Sequence, residues 1–217
     1  EFRRVLFRSF DVTETSVDLL VKVTDGATGL SSQQTVTVSL TDRWGTSSSN
    51  IIGLRSAAEV TELTSATALV MDGAAGFDTL KFIGDGRALN LTTVNDAVIK
   101  NLEKMDLSAT GTQSLTLSAA DVVAISSTNL IHTTTASADG NTWTNVTGAA
   151  LAATTNYSQL VVDGTAADSV TLAAGTGFWA SVGTVNDGTS NYEVWQNNAS
   201  AVQLIVKAGV TVTNADP

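Results

Sequence analysis

The sequence predicts an all-β fold, described as a short-stranded β-sandwich or β-solenoid-like module with one or two short helices. Two observations support this fold class. The composition is rich in Thr, Ser, Ala, Val, Gly and Asn, which favour strands separated by tight turns. Apolar residues recur in short segments bounded by Gly, Asp and Asn, a spacing that is typical of strands rather than helices.

Composition and charge exclude several classes of protein. The chain has 217 residues, enough to bury a hydrophobic core, and its 43% hydrophobic content is too high for intrinsic disorder. It has no cysteine, which excludes disulfides and thiol chemistry. The net charge of −10 argues against a nucleic-acid partner. No apolar run reaches the roughly 20 residues of a membrane span.

Residues 1–9 differ in composition from the rest of the chain. Three of the 11 basic residues, Arg3, Arg4 and Arg8, fall within this short segment. Its apolar run is too short for the central region of a secretory signal. We therefore predict that residues 1–9 are a non-native leader and that the chain is a fragment of a longer protein.

Residues 10–42 are predicted to form a hairpin. Apolar residues alternate with polar ones over 17–24 and again over 33–40, and Asp25-Gly26 and Gly29 supply the turn. Two strands do not make a domain, so this hairpin resembles the C-terminal end of a truncated immunoglobulin-like or cadherin-like bacterial repeat. The polar, Ser-rich segment 43–52 is predicted to be a linker.

Residues 53–217 are predicted to form a β-rich module with an insertion near 133–155, which is anchored by Trp143. A capping box at Ser118 and Asp121 predicts one short helix, and 95–103 is a second candidate. The predicted strands are 68–71, 79–83, 88–91, 104–107, 114–117, 160–162, 169–172, 182–185, 192–196, 202–206 and 211–213.

Two segments of this module are near-repeats of one another. Residues 69–80 and 160–172 each read as a strand, an Asp-Gly turn, small residues, an Asp and a second strand. The first copy is similar to one glycine- and aspartate-rich calcium repeat, with Ala in place of the second Gly. Calcium binds six to eight oxygens, which carboxylates and turn carbonyls supply. The candidate ligands are therefore Asp78, Gly73 and Gly76.

The order of segments from 72 to 213 resembles the non-repetitive modules of large secreted RTX-type bacterial adhesins. The resemblance implies an extracellular or cell-surface location, bound Ca2+ and no enzymatic activity. It also implies contacts with neighbouring repeats of the parent chain and with a cell-surface glycan or matrix. In the preceding hairpin, Asp25 and Asp42 match aspartates of the cadherin-like calcium motif, although Arg43 and Trp44 interrupt the rest of that motif.

Two other functions remain open from the sequence. A carbohydrate-binding module could use an aromatic platform drawn from Trp44, Trp143, Trp179, Trp195 and Tyr192. A fragment of an extracellular polysaccharide-active enzyme would need two facing carboxylates. Against the enzyme, Glu59, Glu62, Glu103 and Glu193 are predicted to face solvent. A serine triad would have to use His132, the single histidine, and the chain lacks a G-x-S-x-G motif.

Overall fold

The computed structural model describes residues 48–65, 70–148, 151 and 156–215, and in addition the backbone of 16–24 and 31–39. Internal contacts divide the chain into two units, Glu1–Asp42 and Arg43–Pro217. The predicted leader and the residues Asp25, Asp42 and Trp44 lie outside the described residues.

The first unit contains two strands, β1 (Ser16–Thr24) and β2 (Ser31–Ser39). They pair in antiparallel register from Ser16 opposite Ser39 to Thr24 opposite Ser31. The strand pair that the alternating pattern predicts in this region is therefore present.

The second unit is mostly β-structure with two short α-helices, which confirms the predicted fold class. A 3-10 turn at Leu91–Thr93 follows one of its strands. Its elements are β3 (Ile51–Leu54), α1 (Ala57–Leu63), β4 (Met71–Asp72), β5 (Thr79–Phe82), β6 (Ala88–Asn90), β7 (Ile99–Lys100), β8 (Lys104–Asp106), β9 (Ser114–Leu117), α2 (Ala119–Ile125), β10 (Thr144–Gly148), β11 (Ser158–Asp163), β12 (Ser169–Leu172), β13 (Trp179–Asn186), β14 (Asn191–Asn197), β15 (Val202–Lys207) and β16 (Thr211–Asn214).

Parallel pairing stacks these strands coil upon coil, which is the arrangement of a β-solenoid. One ladder runs β3-β5-β8-β11-β15, a second runs β6-β9-β12-β16, and β4 pairs with β7. Thr79 pairs with Lys104, so one coil at this point spans 25 residues (104 − 79). The antiparallel strands β14, β13 and β10 extend the first ladder beyond β15.

The interior of the coils is filled by alternate residues of the short strands. In β5, β9 and β12 every second side chain is buried. Because the ladders are in register, buried residues of successive coils lie on top of one another: Leu89 pairs with Leu115, and Leu115 with Val170. These stacked apolar side chains form the main core.

Strands β11 and β15 are buried on both faces. Leu160 and Val162 of β11 belong to the main core, whereas Val161 between them belongs to a second hydrophobic cluster. This second cluster includes Trp143, which is 3% exposed and lies in the predicted insertion. The insertion therefore covers the outer face of the long sheet, and Trp143 is buried there, as the sequence predicts. Burial on both faces explains the continuous apolar runs of β11 and β15.

The helix predictions were half correct. Helix α2 begins at the predicted capping box, in which the side chains of Ser118 and Asp121 each accept a hydrogen bond from the other residue's backbone N–H. The second candidate, 95–103, is wrong because it forms a turn and then β7. Helix α1 was missed, although Ser56 and Glu59 carry the same capping-box signature. The strand β3 begins at Ile51, inside the segment that was predicted to be a linker.

We expect Leu115→Ala to lower the free energy of unfolding by about 2–5 kcal/mol, because it leaves a cavity between Leu89 and Val170. Thr116→Ala, at the next and more exposed position of β9, is the matched control and should cost less than about 1 kcal/mol. Urea denaturation of both variants measures the difference. Equal losses would contradict the assignment of an inward and an outward face to β9.

Candidate functional site

A column of polar residues stands at one corner of the coils. Asn50, Asp78 and Glu103 each directly precede a strand of the first parallel ladder, β3, β5 and β8 respectively. The backbone N–H of Asn50 donates to Oδ1 of Asp78 (2.6 Å), and the backbone N–H of Asp78 donates to Oε2 of Glu103 (2.7 Å). Each carboxylate therefore satisfies a backbone donor of the preceding coil.

A second column uses the same device at the start of the other parallel ladder. Arg87, Gln113 and Asp168 directly precede β6, β9 and β12. The backbone N–H of Arg87 donates to Oε1 of Gln113 (2.8 Å), and that of Gln113 donates to Oδ1 of Asp168 (2.8 Å). The recurrence at two corners indicates that a side-chain acceptor directly before a strand holds successive coils together.

Asp78 is completely buried, but only one of its two carboxylate oxygens accepts hydrogen bonds. Its Oδ1 also accepts from Nδ2 of Asn50 (2.9 Å), whereas its Oδ2 has no hydrogen-bond partner among the described residues. Burial raises the pKa of the Asp78 carboxyl, and the nearby Asp72 carboxylate raises it further, against the lowering effect of the Asn50 bonds. Asp78 is thus a buried acid whose pKa lies above its ordinary value.

Glu103 is 2% exposed, so the prediction that it faces solvent is wrong. Its Oε1 accepts a bond from the hydroxyl of Ser127 (3.3 Å). Burial raises the pKa of the Glu103 carboxyl, and the negative charge of Asp78 raises it as well, while the bond from the backbone of Asp78 opposes both. The coil stacking brings two buried carboxyl groups within electrostatic reach of each other.

The corresponding aspartate of the second near-repeat is fully satisfied. Oδ2 of Asp168 accepts from the backbone N–H (2.7 Å) and the hydroxyl (2.8 Å) of Thr165. The residue that follows the Asp-Gly turn in the first copy is Ala74, which has no hydroxyl group. The two near-repeats therefore place their aspartates directly before strands of different ladders, β5 and β12, and differ in the bonding of these buried acids.

Gly73 lies against Asp78, and no larger residue would fit at this position. A Cβ atom at Gly73 would overlap the carbonyl oxygen of Asn101 and lie 2.7 Å from Cβ of Asp78. Gly76 has a φ of +136°, which favours glycine, and it lies against the backbone of Ser48 and Ser49. Both glycines thus have a structural role at this corner.

The donor set around Asp78 does not fit the calcium site that the sequence predicts. Oδ1 of Asp78 and Oε2 of Glu103 already accept backbone bonds, so one buried carboxylate oxygen is left for an ion that needs six to eight. Across the described part of the chain, no three His, Cys, Asp or Glu side chains are close enough to hold a metal ion. Asp25 and Asp42 lie outside that part.

Of the residues proposed for an aromatic platform, the four that the structure describes are buried or partly buried. Trp143, Trp179 and Tyr192 are buried, and Trp195 packs partly buried against the main core. The indole N–H of Trp143 donates to Oδ2 of Asp139 (2.9 Å), and the ring contacts Tyr192 at a centroid distance of 4.9 Å. These four rings therefore contribute to the two cores.

A charged cluster lies on the outer face of the long sheet. Asp163 pairs with the ammonium groups of Lys104 and Lys207 and accepts a bond from the hydroxyl of Tyr192 (2.7 Å). Burial raises the pKa of Tyr192, and so does its bond to the Asp163 carboxylate. Sequence reasoning missed this cluster because β8, β11 and β15 meet only through coil stacking.

No protein-family model matches the chain, and no curated protein or solved structure matches it either. Within the described residues, no helix is both long enough and apolar enough to cross a membrane. The assignment of function therefore rests on the geometry of the chain itself.

We expect Gly73→Ala to lower the free energy of unfolding by about 1–3 kcal/mol, because the added Cβ must displace Asn101 or Asp78. Gly175→Ala is the matched control, since a Cβ at Gly175 would meet no atom within 4 Å. Thermal melts of the two variants measure the difference. A tolerated Gly73→Ala would contradict the close packing at the corner.

Glu103→Gln should become more stable relative to the wild type as the pH rises from about 4 to 7. A carboxyl whose pKa is raised by folding binds more protons in the folded state, so its contribution to stability falls as the pH rises through the window between the unfolded and folded pKa values. Glutamine keeps an acceptor for the backbone N–H of Asp78 and removes the charge.

Urea denaturation at several pH values measures this effect. Glu62→Gln, at an exposed position of α1, is the comparison for the loss of a surface carboxylate. A Glu103→Gln difference that stays constant with pH would overturn the assignment of Glu103 as a buried acid with a raised pKa.

Proposed function

We propose that the chain is a structural and adhesive module of a large secreted bacterial surface protein, and that it acts outside the cell without enzymatic activity. The observation that carries this proposal is the stack of parallel coils whose buried acids bond to the backbone of neighbouring coils. Such groups contribute to the cohesion of an elongated scaffold. The resemblance of the segment order to RTX-type adhesins gives independent support.

The buried acids are also the feature that would favour the alternative function, that of a polysaccharide-active enzyme. Carboxyl groups with raised pKa values occur in catalytic sites, and Asp78 and Glu103 form such a pair. However, Asp78 is 0% exposed and Glu103 is 2% exposed, so a polysaccharide chain has no access to either carboxyl group. This burial favours the structural role.

Adhesion of the full chain tests the proposal. Beads coated with the protein should be retained under flow on surfaces coated with cell-surface glycoproteins or extracellular matrix. Beads coated with the heat-unfolded chain are the control, because they present the same composition without the coils. Equal retention of the two kinds of bead would contradict an adhesive role of the folded module.

A panel of neutral and acidic polysaccharides tests the enzymatic alternative. We expect no release of reducing ends or unsaturated products from any of them. Product release that Glu103→Gln abolishes, in a variant with an unchanged melting temperature, would replace the structural proposal with an enzymatic one.

Calcium should stabilise the full chain only modestly through Asp78. A site with a millimolar Kd would add about 1.4 kcal/mol in about 10 mM calcium, and the single unpartnered oxygen of Asp78 makes this an upper bound. Thermal melts with calcium and with chelator, on the wild type, Asp78→Asn and Asp168→Asn, measure the increment.

The pattern across the three proteins locates the ion. A large calcium-dependent rise in melting temperature that only Asp78→Asn abolishes would contradict the poor fit of this corner to calcium. An increment that both variants retain would place the ion elsewhere, and Asp25 and Asp42 are then the next candidates.

A further inference from the structure

A pocket of about 220 Å³ opens on the outer face of the long sheet. Part of its wall comes from the insertion, part from the turn between β13 and β14, and part from the starts of β5 and β8. The residues that matter for its chemistry are Phe77, Lys104, Asp139, Asn141, Asp187 and Tyr192.

The polar groups of this pocket are held in place by other bonds. Oδ1 of Asp187 accepts from the backbone N–H groups of Thr189 (2.8 Å) and Ser190 (2.7 Å). Although burial opposes ionisation, these bonds lower the pKa of Asp187, so its carboxylate is charged at neutral pH. Oδ2 of Asp139 is fixed by the indole of Trp143 and the amide of Asn141 (3.0 Å).

One acceptor of the pocket retains capacity for a ligand. The Tyr192 hydroxyl has one proton to share between Oδ1 of Asp163 at 2.7 Å and Oδ2 of Asp187 at 3.2 Å, so the bond to Asp187 is the weaker one, and a carboxylate oxygen has a second lone pair. That Asp187 oxygen is therefore available to a hydroxyl group of a bound molecule. A carboxylate that accepts from a hydroxyl forms one of the stronger hydrogen bonds in proteins.

We infer that this pocket binds one neutral sugar ring, the terminal unit of a glycan. The partly exposed ring of Phe77 offers an apolar wall for the C–H face of a sugar, and Asp187, Asp139 and Asn141 face it with hydrogen-bonding groups. The volume is below the roughly 300 Å³ at which pockets for drug-sized molecules begin, which suits a single ring. This inference rests on the proposed function, because it gives the adhesive module its ligand.

An organic ammonium ion is the competing ligand, since two carboxylates and an aromatic ring also attract cations. Two observations disfavour it. Lys104, whose ammonium group pairs with Asp163, lines the same pocket, and the lining rings of Trp143 and Tyr192 are buried, which leaves Phe77 as the more exposed ring. An anionic sugar is disfavoured by the charges of Asp139 and Asp187.

A titration of the 15N-labelled full chain tests the inference. Methyl glycosides of galactose, glucose, mannose and N-acetylglucosamine are the neutral probes, and choline is the cationic probe. The indole N–H of Trp143, which bonds to Asp139 at the pocket wall, should shift with at least one glycoside. The indole N–H of Trp179, which is not part of this wall, is the internal reference.

Two matched variants assign the effect to the pocket. Phe77→Leu keeps an apolar side chain against the second core but removes the ring, and we expect it to weaken binding about tenfold. Phe178→Leu makes the same change at a residue that is 50% exposed and lies outside the pocket, and it should leave affinity unchanged. Asp187→Asn should also weaken binding, and its affinity is measured well below its melting temperature, because loss of a charge that folding stabilises lowers that temperature at neutral pH.

Several outcomes would overturn the sugar site: no shift of Trp143 with any glycoside, equal affinities of Phe77→Leu and Phe178→Leu, or a response to choline alone. The bead assay separates this failure from that of the proposed function. Beads coated with Phe77→Leu that still adhere as well as the wild type would refute the pocket as the adhesive site and leave the adhesive module intact. Glycoside binding by a chain that never adheres would refute only the adhesive module.

Discussion

The second unit depends on one constraint: where a strand begins at a corner, the backbone N–H one residue earlier needs an acceptor, and at Asn50, Asp78, Arg87 and Gln113 a side chain of the next coil provides it. Within the strands the parallel ladders provide it. One residue before a strand, the carbonyl of Asp78 still accepts from Glu103 and Lys104 of the next coil, but the N–H of Asp78 has no backbone acceptor. The side chain of Glu103 fills that place. An unsatisfied buried donor would cost about 1–3 kcal/mol, so each column contributes to holding the coils in register.

This constraint also explains why acids are tolerated in a dry interior. A buried carboxylate is costly unless it is bonded. Asp168 meets the condition with bonds to Thr165 and Gln113, whereas Asp78 and Glu103 lie near each other and shift toward the neutral form. A polar column thus specifies the register more strictly than apolar stacking does. A shift of one coil by one residue against the next would leave both a buried donor and a buried acceptor unpaired.

The sequence predicts the positions of the strands far better than it predicts which strands pair with one another. Alternation of period two is local, so nine of the fourteen strands of the second unit were located to within two residues at each end, and the capping box located α2. The strands β3, β7 and β10 were missed, and β4 and β13 begin three residues from their predicted starts. Pairing between coils joins residues that are 25 or more positions apart, with insertions of uneven length between them. For that reason the burial of Glu103 was not foreseen. The available signal was an Asn, Asp, Glu or Gln directly before an apolar strand, at Asn50, Asp78, Glu103, Gln113 and Asp168.

The contrast between the two near-repeats indicates how the insertion changes the solenoid. The first copy leads from β4 across the corner into β5, and its turn leaves Oδ2 of Asp78 unpartnered. In the second copy the Asp of the Asp-Gly turn, Asp163, forms the hub of the charged cluster with Lys104, Lys207 and Tyr192. The insertion covers the outer face beside this cluster, and its Asp139 and Asn141 form one wall of the pocket. One sequence pattern therefore closes a coil in both places, and both copies line the pocket, the first through Phe77 and Thr79 and the second through Val161.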